Sequence, residues 1–216
     1  MYRYAEGAGT ATRFDVIKDI DFLSSTELIC TDFNNYCLRL VDFTLSPPET
    51  SRFAGDCRLS GVTDGHRLNS ALFDRPRNTA VNSNKSVLFT LSYLKTLRMI
   101  DLKTDTVTTI ATLDSNNGDI KFIGDSLLYF ARHYRVSVLN INSGEERIVA
   151  GGDSRGNAVG SFEQTEFGAA YGLLLMRNKV NTLLLVADAS YDRFVGCYKM
   201  YCTLRPNIQI KLFYLY

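Results

Sequence analysis

The chain has 216 residues, 45% of them hydrophobic, enough for one good-sized core or two small ones, and this excludes a disordered polypeptide. Lysine plus arginine number 24 against 23 acidic residues, for a net charge of +1. That balance, without long runs of like charge, argues against nucleic acid or an anionic membrane as partner, and no apolar run reaches the ~18 to 20 residues of a membrane-spanning helix.

In chain order, the start M-Y-R-Y-A-E-G-A-G-T lacks the apolar core of a signal peptide, which taken literally implies a cytosolic chain. Residues 7–25 form a Gly-rich lead-in loop that delivers Phe14 and then an alternating strand with Ile17, Ile20 and Phe22 as its apolar members. Two short strands follow, Leu28–Thr31 and Cys37–Val41, joined by a turn on Asp32, Asn34 and Asn35, residues that tolerate left-handed geometry. Pro47 and Pro48 force a rigid turn, and a further strand from Thr50 to Ala54 ends at Gly55. Four short strands with turn chemistry at each junction make one unit.

The unit recurs. Phe73 takes the place of Phe14, and Leu88, Arg98 and Asp101 match Leu28, Arg39 and Asp42 in register to within one residue. A third copy loses the long lead-in but keeps the hairpin, with Leu128 and Asn140 in the places of Leu88 and Asp101 and a turn at Asn142-Ser143-Gly144. The fourth restores the loop, Phe167 standing for Phe14 and Asp188 for Asp32. Copies spaced by about 40 residues, with insertions, are the signature of a β-propeller. The expected fold is all-β, four-stranded antiparallel blades, about four of them recognisable in a partial or open propeller. The blades occupy 1–202, and a divergent tail occupies 203–216. A two-sheet sandwich suits short strands equally well, but not the repeat register.

The five cysteines, Cys30, Cys37, Cys57, Cys197 and Cys202, show no C-x-x-C spacing, which argues against a zinc or redox motif. A bridge from Cys37 to Cys57 would pin a strand to the connector beyond it; spacing alone leaves free buried thiols equally open. The sequon Asn84-Lys85-Ser86 lies in a polar turn able to carry a glycan if the chain meets the secretory pathway.

The element A-x-F-x-x-P-x-x-x-A-V at Ala71 to Val81, L-x-x-x-D-x-x-N at Leu28 to Asn35, and L-R-x-x-D at Leu38 to Asp42 and Leu97 to Asp101 together resemble the NHL repeat. The resemblance covers the chain to about Cys197, specifically in the first two copies and loosely in the third. C-L-R-L-V-D followed by F-A-G-D-C is similar to secreted animal members, which implies a Cys37–Cys57 disulfide and an extracellular setting. Such domains usually close with six blades, so the resemblance also implies a longer parent protein or closure by divergent strands or a partner chain.

A propeller scaffold implies no chemistry by itself. Two histidines, His66 and His133, are too few for a multi-histidine catalytic metal. Asp32 and Asp188 recur at a strand-to-turn corner, where a carboxylate either holds calcium, acts as a base or caps its own turn. Arg39 and Arg98 recur in register, either as a cationic ring facing a ligand or as spacers between blades. The lead-in glycines lack the Lys-Ser or Lys-Thr of a P-loop, no nucleophile elbow exists, and Cys30 has no histidine partner. The reading is a non-enzymatic extracellular binding module, without cofactor, for a protein or glycan, with Asp32, Arg39, His66, Arg98 and Asp188 as candidates for the ligand face. A hydrolase or lyase with an axial metal and an intracellular RNA-binding scaffold are the alternatives.

Overall fold

The computed structural model describes residues 4–113, 118–161, 164–177, 182–198 and 201–204. They form a partial, propeller-like all-β fold of four antiparallel sheets. The first sheet holds β1 (Gly7–Ala8), β2 (Ile17–Phe22), β3 (Glu27–Asp32), β4 (Cys37–Asp42) and β5 (Glu49–Ala54) in the order β1-β5-β4-β3-β2. The second repeats it with β6 (Gly65–His66), β7 (Pro76–Val81), β8 (Val87–Ser92), β9 (Thr96–Asp101) and β10 (Thr106–Thr112) as β6-β10-β9-β8-β7. The third contains β11 (Ile120–Ile123), β12 (Leu127–Arg132), β13 (Arg135–Asn140) and β14 (Glu146–Gly151), and the fourth β15 (Ala170–Arg177), β16 (Thr182–Asp188), β17 (Arg193–Tyr198) and β18 (Tyr201–Leu204). In both, neighbours in sequence are neighbours in the sheet.

The repeat register read from the sequence is the structural one. Leu28, Leu88 and Leu128 are each the second residue of their strand, and Arg39 and Arg98 each the third. Asp32 and Asp188 each end a strand opposite the first residue of the next, Cys37 and Arg193 respectively. The apolar run at Tyr171–Met176 lies within the long strand β15.

Two features depart from the expectation. The first two sheets gain a fifth strand because the lead-in loop lays two residues against the outer strand, Gly7 opposite Thr50 and Gly65 opposite Val107. Gly65 has φ of 128°, and a Cβ there would stand 2.3 Å from Ser70 Oγ, so glycine is what admits this pairing. In β2, Ile17, Ile20 and Phe22 are 45, 52 and 53% exposed. The polar residues between them make the packing contacts instead: Asp19 Oδ2 accepts the Thr79 N–H at 2.9 Å and Asp21 Oδ2 the Val81 N–H at 2.7 Å.

The chain divides into two compact units. One comprises Met1–Asn116, Ile120–Tyr129 and Asn140–Gly144, and the other Asn117–Asp119, Phe130–Leu139 and Glu145–Tyr216. In the first, Ile29, Leu38 and Phe53 of sheet one meet Phe73, Leu88, Ile100 and Val107 of the second copy in one buried cluster. That burial is the favourable term for stacking sheets whose faces no single copy can hide. In the second, Phe167, Val186 and Val195 are fully buried, and the Asp119 N–H donates to Tyr171 O at 2.7 Å. Residues 203–204 close β18, and the rest of the expected tail, 205–216, lies outside the described residues.

Candidate functional site

The repeated residues converge on the lead-in loops. Arg39, on the second strand of its hairpin, is fully buried. Its guanidinium donates to Asp32 Oδ2 at 3.1 Å, to Arg13 O at 3.3 Å and to Ala5 O at 2.9 Å. The rings of Tyr4 and Phe14 lie 4.7 and 5.1 Å from its Cζ. Arg98 repeats this: it donates to Leu72 O at 2.9 Å and Thr63 O at 2.8 Å, pairs with Asp64 Oδ1 at 2.9 Å, and lies 5.0 Å from the Phe73 ring. In both copies the arginine grips the carbonyl of the residue before the phenylalanine and a second carbonyl across the loop, where Ala5 bridges Arg13 and Thr63 bridges Leu72. A guanidinium with several donors in a planar fork suits this task, and a lysine would not.

The two aspartates also act on lead-in loops, Asp32 on the first and Asp188 on the fourth. Asp32 accepts the Asp15 N–H at 2.8 Å and the Asn35 side-chain amide at 2.9 Å. Asp188 accepts the N–H groups of Gly168, at 3.0 Å, and Ala169, at 2.8 Å. Each carboxylate therefore binds the residue that follows a repeated phenylalanine, Phe14 or Phe167, and Asp32 binds Asn35 of its own turn as well. Burial pushes the Asp32 carboxyl above the ordinary range, against the opposing pull of Asn35, the Asp15 N–H and Arg39. At Asp64 burial also acts upward, but the Thr109 N–H and hydroxyl together with Arg98 outweigh it, and the carboxyl titrates low.

The loop from Gly55 to Arg75 carries further fastenings. A disulfide joins Cys37 to Cys57. Arg67 donates to Phe53 O on β5 at 2.6 Å and pairs with Asp105 Oδ1, also at 2.6 Å, thereby tying the loop to both sheets it connects. Asp105 is held low by this bond. His66 lies in β6; its Nδ1 accepts the Leu68 N–H at 3.2 Å and its carbonyl the Ser70 and Ala71 N–H groups at 3.0 Å. His133, in the turn between β12 and β13, stacks on Tyr134 at 5.7 Å.

Asp32, Arg39 and Arg98 are thus buried supports of the loops, and Asp188 is buried likewise. Arg67, Asp64, Asp19 and Asp21 belong to the same fabric and went unmarked in the sequence reading. A signal for Arg67 existed in the Gly-His-Arg run ahead of Phe73, but it has no match in the first copy. Among the described residues, no three His, Cys, Asp or Glu side chains lie together in a group able to hold a metal. Asn84 sits exposed in the β7–β8 turn, its Oδ1 accepting the Ser86 N–H at 3.0 Å. Cys30 is a buried free thiol that burial pushes up to about 12.

No protein-family model matches the chain, and no curated protein matches it in sequence. Among solved structures it is similar to an auxiliary nutrient binding protein from Bacteroides ovatus, with a TM-score of 0.70 at 12% identity over 89% of this chain and 47% of that one. An auxiliary nutrient binding protein from Bacteroides thetaiotaomicron gives a TM-score of 0.55 at 13% identity over 94% of this chain and 60% of that one. The chain spans 47 to 60% of the length of these structures, and at such identity what it shares with them is the fold.

Proposed function

We propose that the chain is a non-enzymatic binding module of the NHL propeller type, acting outside the cell as part of a longer protein, with a protein or glycan ligand on its loop-bearing faces. The observation that carries this reading is the fastening of the lead-in loops. Buried guanidiniums, a disulfide and inward carboxylates are committed to loop backbone, and a loop ordered before its partner arrives loses less entropy on binding. In this reading Asp32, Arg39 and Arg98 support ligand-bearing loops of the first unit, where His66 also lies, and Asp188 supports a loop of the second. A disulfide suits an oxidising compartment, and a binding role agrees with the nutrient binding proteins that share the fold. Asn84 then bears a glycan, nucleic acid is not a partner, and no cofactor is needed.

The test is a solution screen of the oxidised chain against polysaccharide fragments and extracellular protein domains. Saturable binding without turnover, weakened when Cys57→Ser loosens the loop, is the expected result. Failure to bind any probe, or release of a modified product, would overturn it.

A further inference from the structure

Besides the loop fastenings, the first unit carries a surface row of four side chains. Phe33, from the short 3-10 turn after β3, meets Tyr93, from the β8–β9 turn, edge to face, with ring centroids 6.2 Å apart and planes at 90°. Lys18 Nζ lies 5.3 Å from the Phe33 centroid and Arg75 Cζ 5.5 Å from that of Tyr93. The row runs cation, ring, ring, cation, and it crosses from the first copy to the second. Tyr93 is 45% exposed and is followed by Leu94 at 55%; Val16, whose carbonyl accepts the Phe33 N–H at 3.0 Å, is 44% exposed.

The acids of this corner are turned to the chain. Asp15 Oδ1 accepts from the Asn34 amide at 2.9 Å, and Asp74 Oδ1 from the Ser60 hydroxyl at 3.0 Å. The charge offered outward is that of Lys18 and Arg75. The backbone adds an independent observation. Val16 and Arg75 have φ of 66° and 46°, left-handed values that cost a non-glycine residue about 1 kcal/mol or more. Both stand two residues after a repeated phenylalanine. The second unit contains a similar pair of its own, Arg155 Cζ 5.4 Å from the ring of Tyr191 in the β16–β17 turn.

We propose that the row from Lys18 to Arg75 is a docking site for an acidic polypeptide segment with an aliphatic anchor, a proposal that rests on the binding-module reading and names its partner. The two cations flank the rings, placed for carboxylates at either end, and charge-assisted bonds of this kind fix register and speed encounter. Val16, Leu94 and the rim of Tyr93 supply the apolar contact between them, and tyrosine with arginine is a common composition for the centre of a protein interface. A sugar fits less well. It needs a flat ring face, and here Lys18 and Arg75 lie over the rings while the edge-to-face contact consumes more of the stack.

The experiment pans a short-peptide phage library on the full oxidised chain. The selected sequences, made as synthetic peptides, are then titrated against the wild type, Arg75→Glu, Leu94→Asp and, as a control at the other end of sheet two, Lys103→Glu. The expected result is selection of peptides with Asp or Glu around Leu, Ile or Phe. Arg75→Glu and Leu94→Asp should each weaken them about tenfold or more, Lys103→Glu less than about twofold, and added salt should weaken them as well. Circular dichroism establishes that each variant is folded. Selected peptides without acidic residues, or binding that ignores Arg75 and Leu94, overturn the docking site while leaving the module a binder elsewhere. A heparin-derived hexasaccharide that binds with the same Arg75 dependence when no acidic peptide does overturns the peptide assignment. Absence of any peptide or glycan binder tells against both readings.

Discussion

Arg39 and Asp32 form an ion pair with both side chains fully buried, and the arginine's other bonds go to the loop carbonyls of Ala5 and Arg13 and to Ser51 O on β5. Removing one partner of such a pair leaves the other charged and without solvent, a loss of about 3 to 5 kcal/mol. Arg39→Met is therefore expected to lower the urea midpoint sharply. Arg98→Met should cost less, because Asp64 is 46% exposed and water can take over its solvation. The two carboxylates respond oppositely to acid. Asp32 is raised in the folded state, so its contribution is greatest below its ordinary range and declines as pH rises toward its folded value. Asp64 is lowered, so its contribution is full above its ordinary range and is lost as pH falls through it. Asp64→Asn should flatten the acid limb of a stability profile measured from neutral pH to about pH 3. With its thiol pushed up to about 12, Cys30 should resist iodoacetamide at pH 8 in the native chain and react after denaturation, as peptide mapping would show.

At the scale of elements, two glycines hold the seam between copies. A Cβ at Gly55, whose φ is 88°, would lie 2.7 Å from the Phe73 ring and 3.1 Å from Tyr36 O. At Gly151, φ 84°, it would lie 2.8 Å from the Phe167 ring. Gly55→Ala is expected to destabilise by more than the ~1 kcal/mol that glycine ordinarily costs, measured by thermal melting, since it strains the bend and displaces a core ring. The Cys37–Cys57 bridge spans 20 residues, and a closed loop of that size contributes roughly 3 kcal/mol. Cys57→Ser should lose about that much and expose the loop to limited proteolysis. The hairpins were legible because Asp32, Asn34 and Asn35 announce a turn between alternating segments. Strand β2 was legible as a strand but not in its facing. Alternation marks Ile20 and Phe22 as one side, yet cannot reveal that Asp19 and Asp21 on the other would find amides to bind.

For the whole molecule, the repeat was readable where side chains serve the loops. Arg39 and Arg98, or Phe73 and Phe167, are fully buried beside the loops they serve and stand out in register. The third copy has no long lead-in to fasten, and Ser137 occupies the third position of β13 where the arginines stand in β4 and β9. Without the loop, the residues that mark the repeat have no work, and the copy fades. The surface row of Lys18, Phe33, Tyr93 and Arg75 was invisible in sequence because it joins two copies through space.

The carboxylates between copies have a last effect. Strand β7 ends its sheet, and its Thr79 and Val81 amides are taken by Asp19 and Asp21 instead of by another strand. In the second unit, Asp119 Oδ2 does the same for Leu173 of β15 at 3.2 Å. A sheet margin closed in this way offers no template to a passing chain. Asp19→Ala combined with Asp21→Ala should therefore turn a well-behaved protein into one that seeds thioflavin-positive fibrils under mild agitation, before any large fall in melting temperature appears.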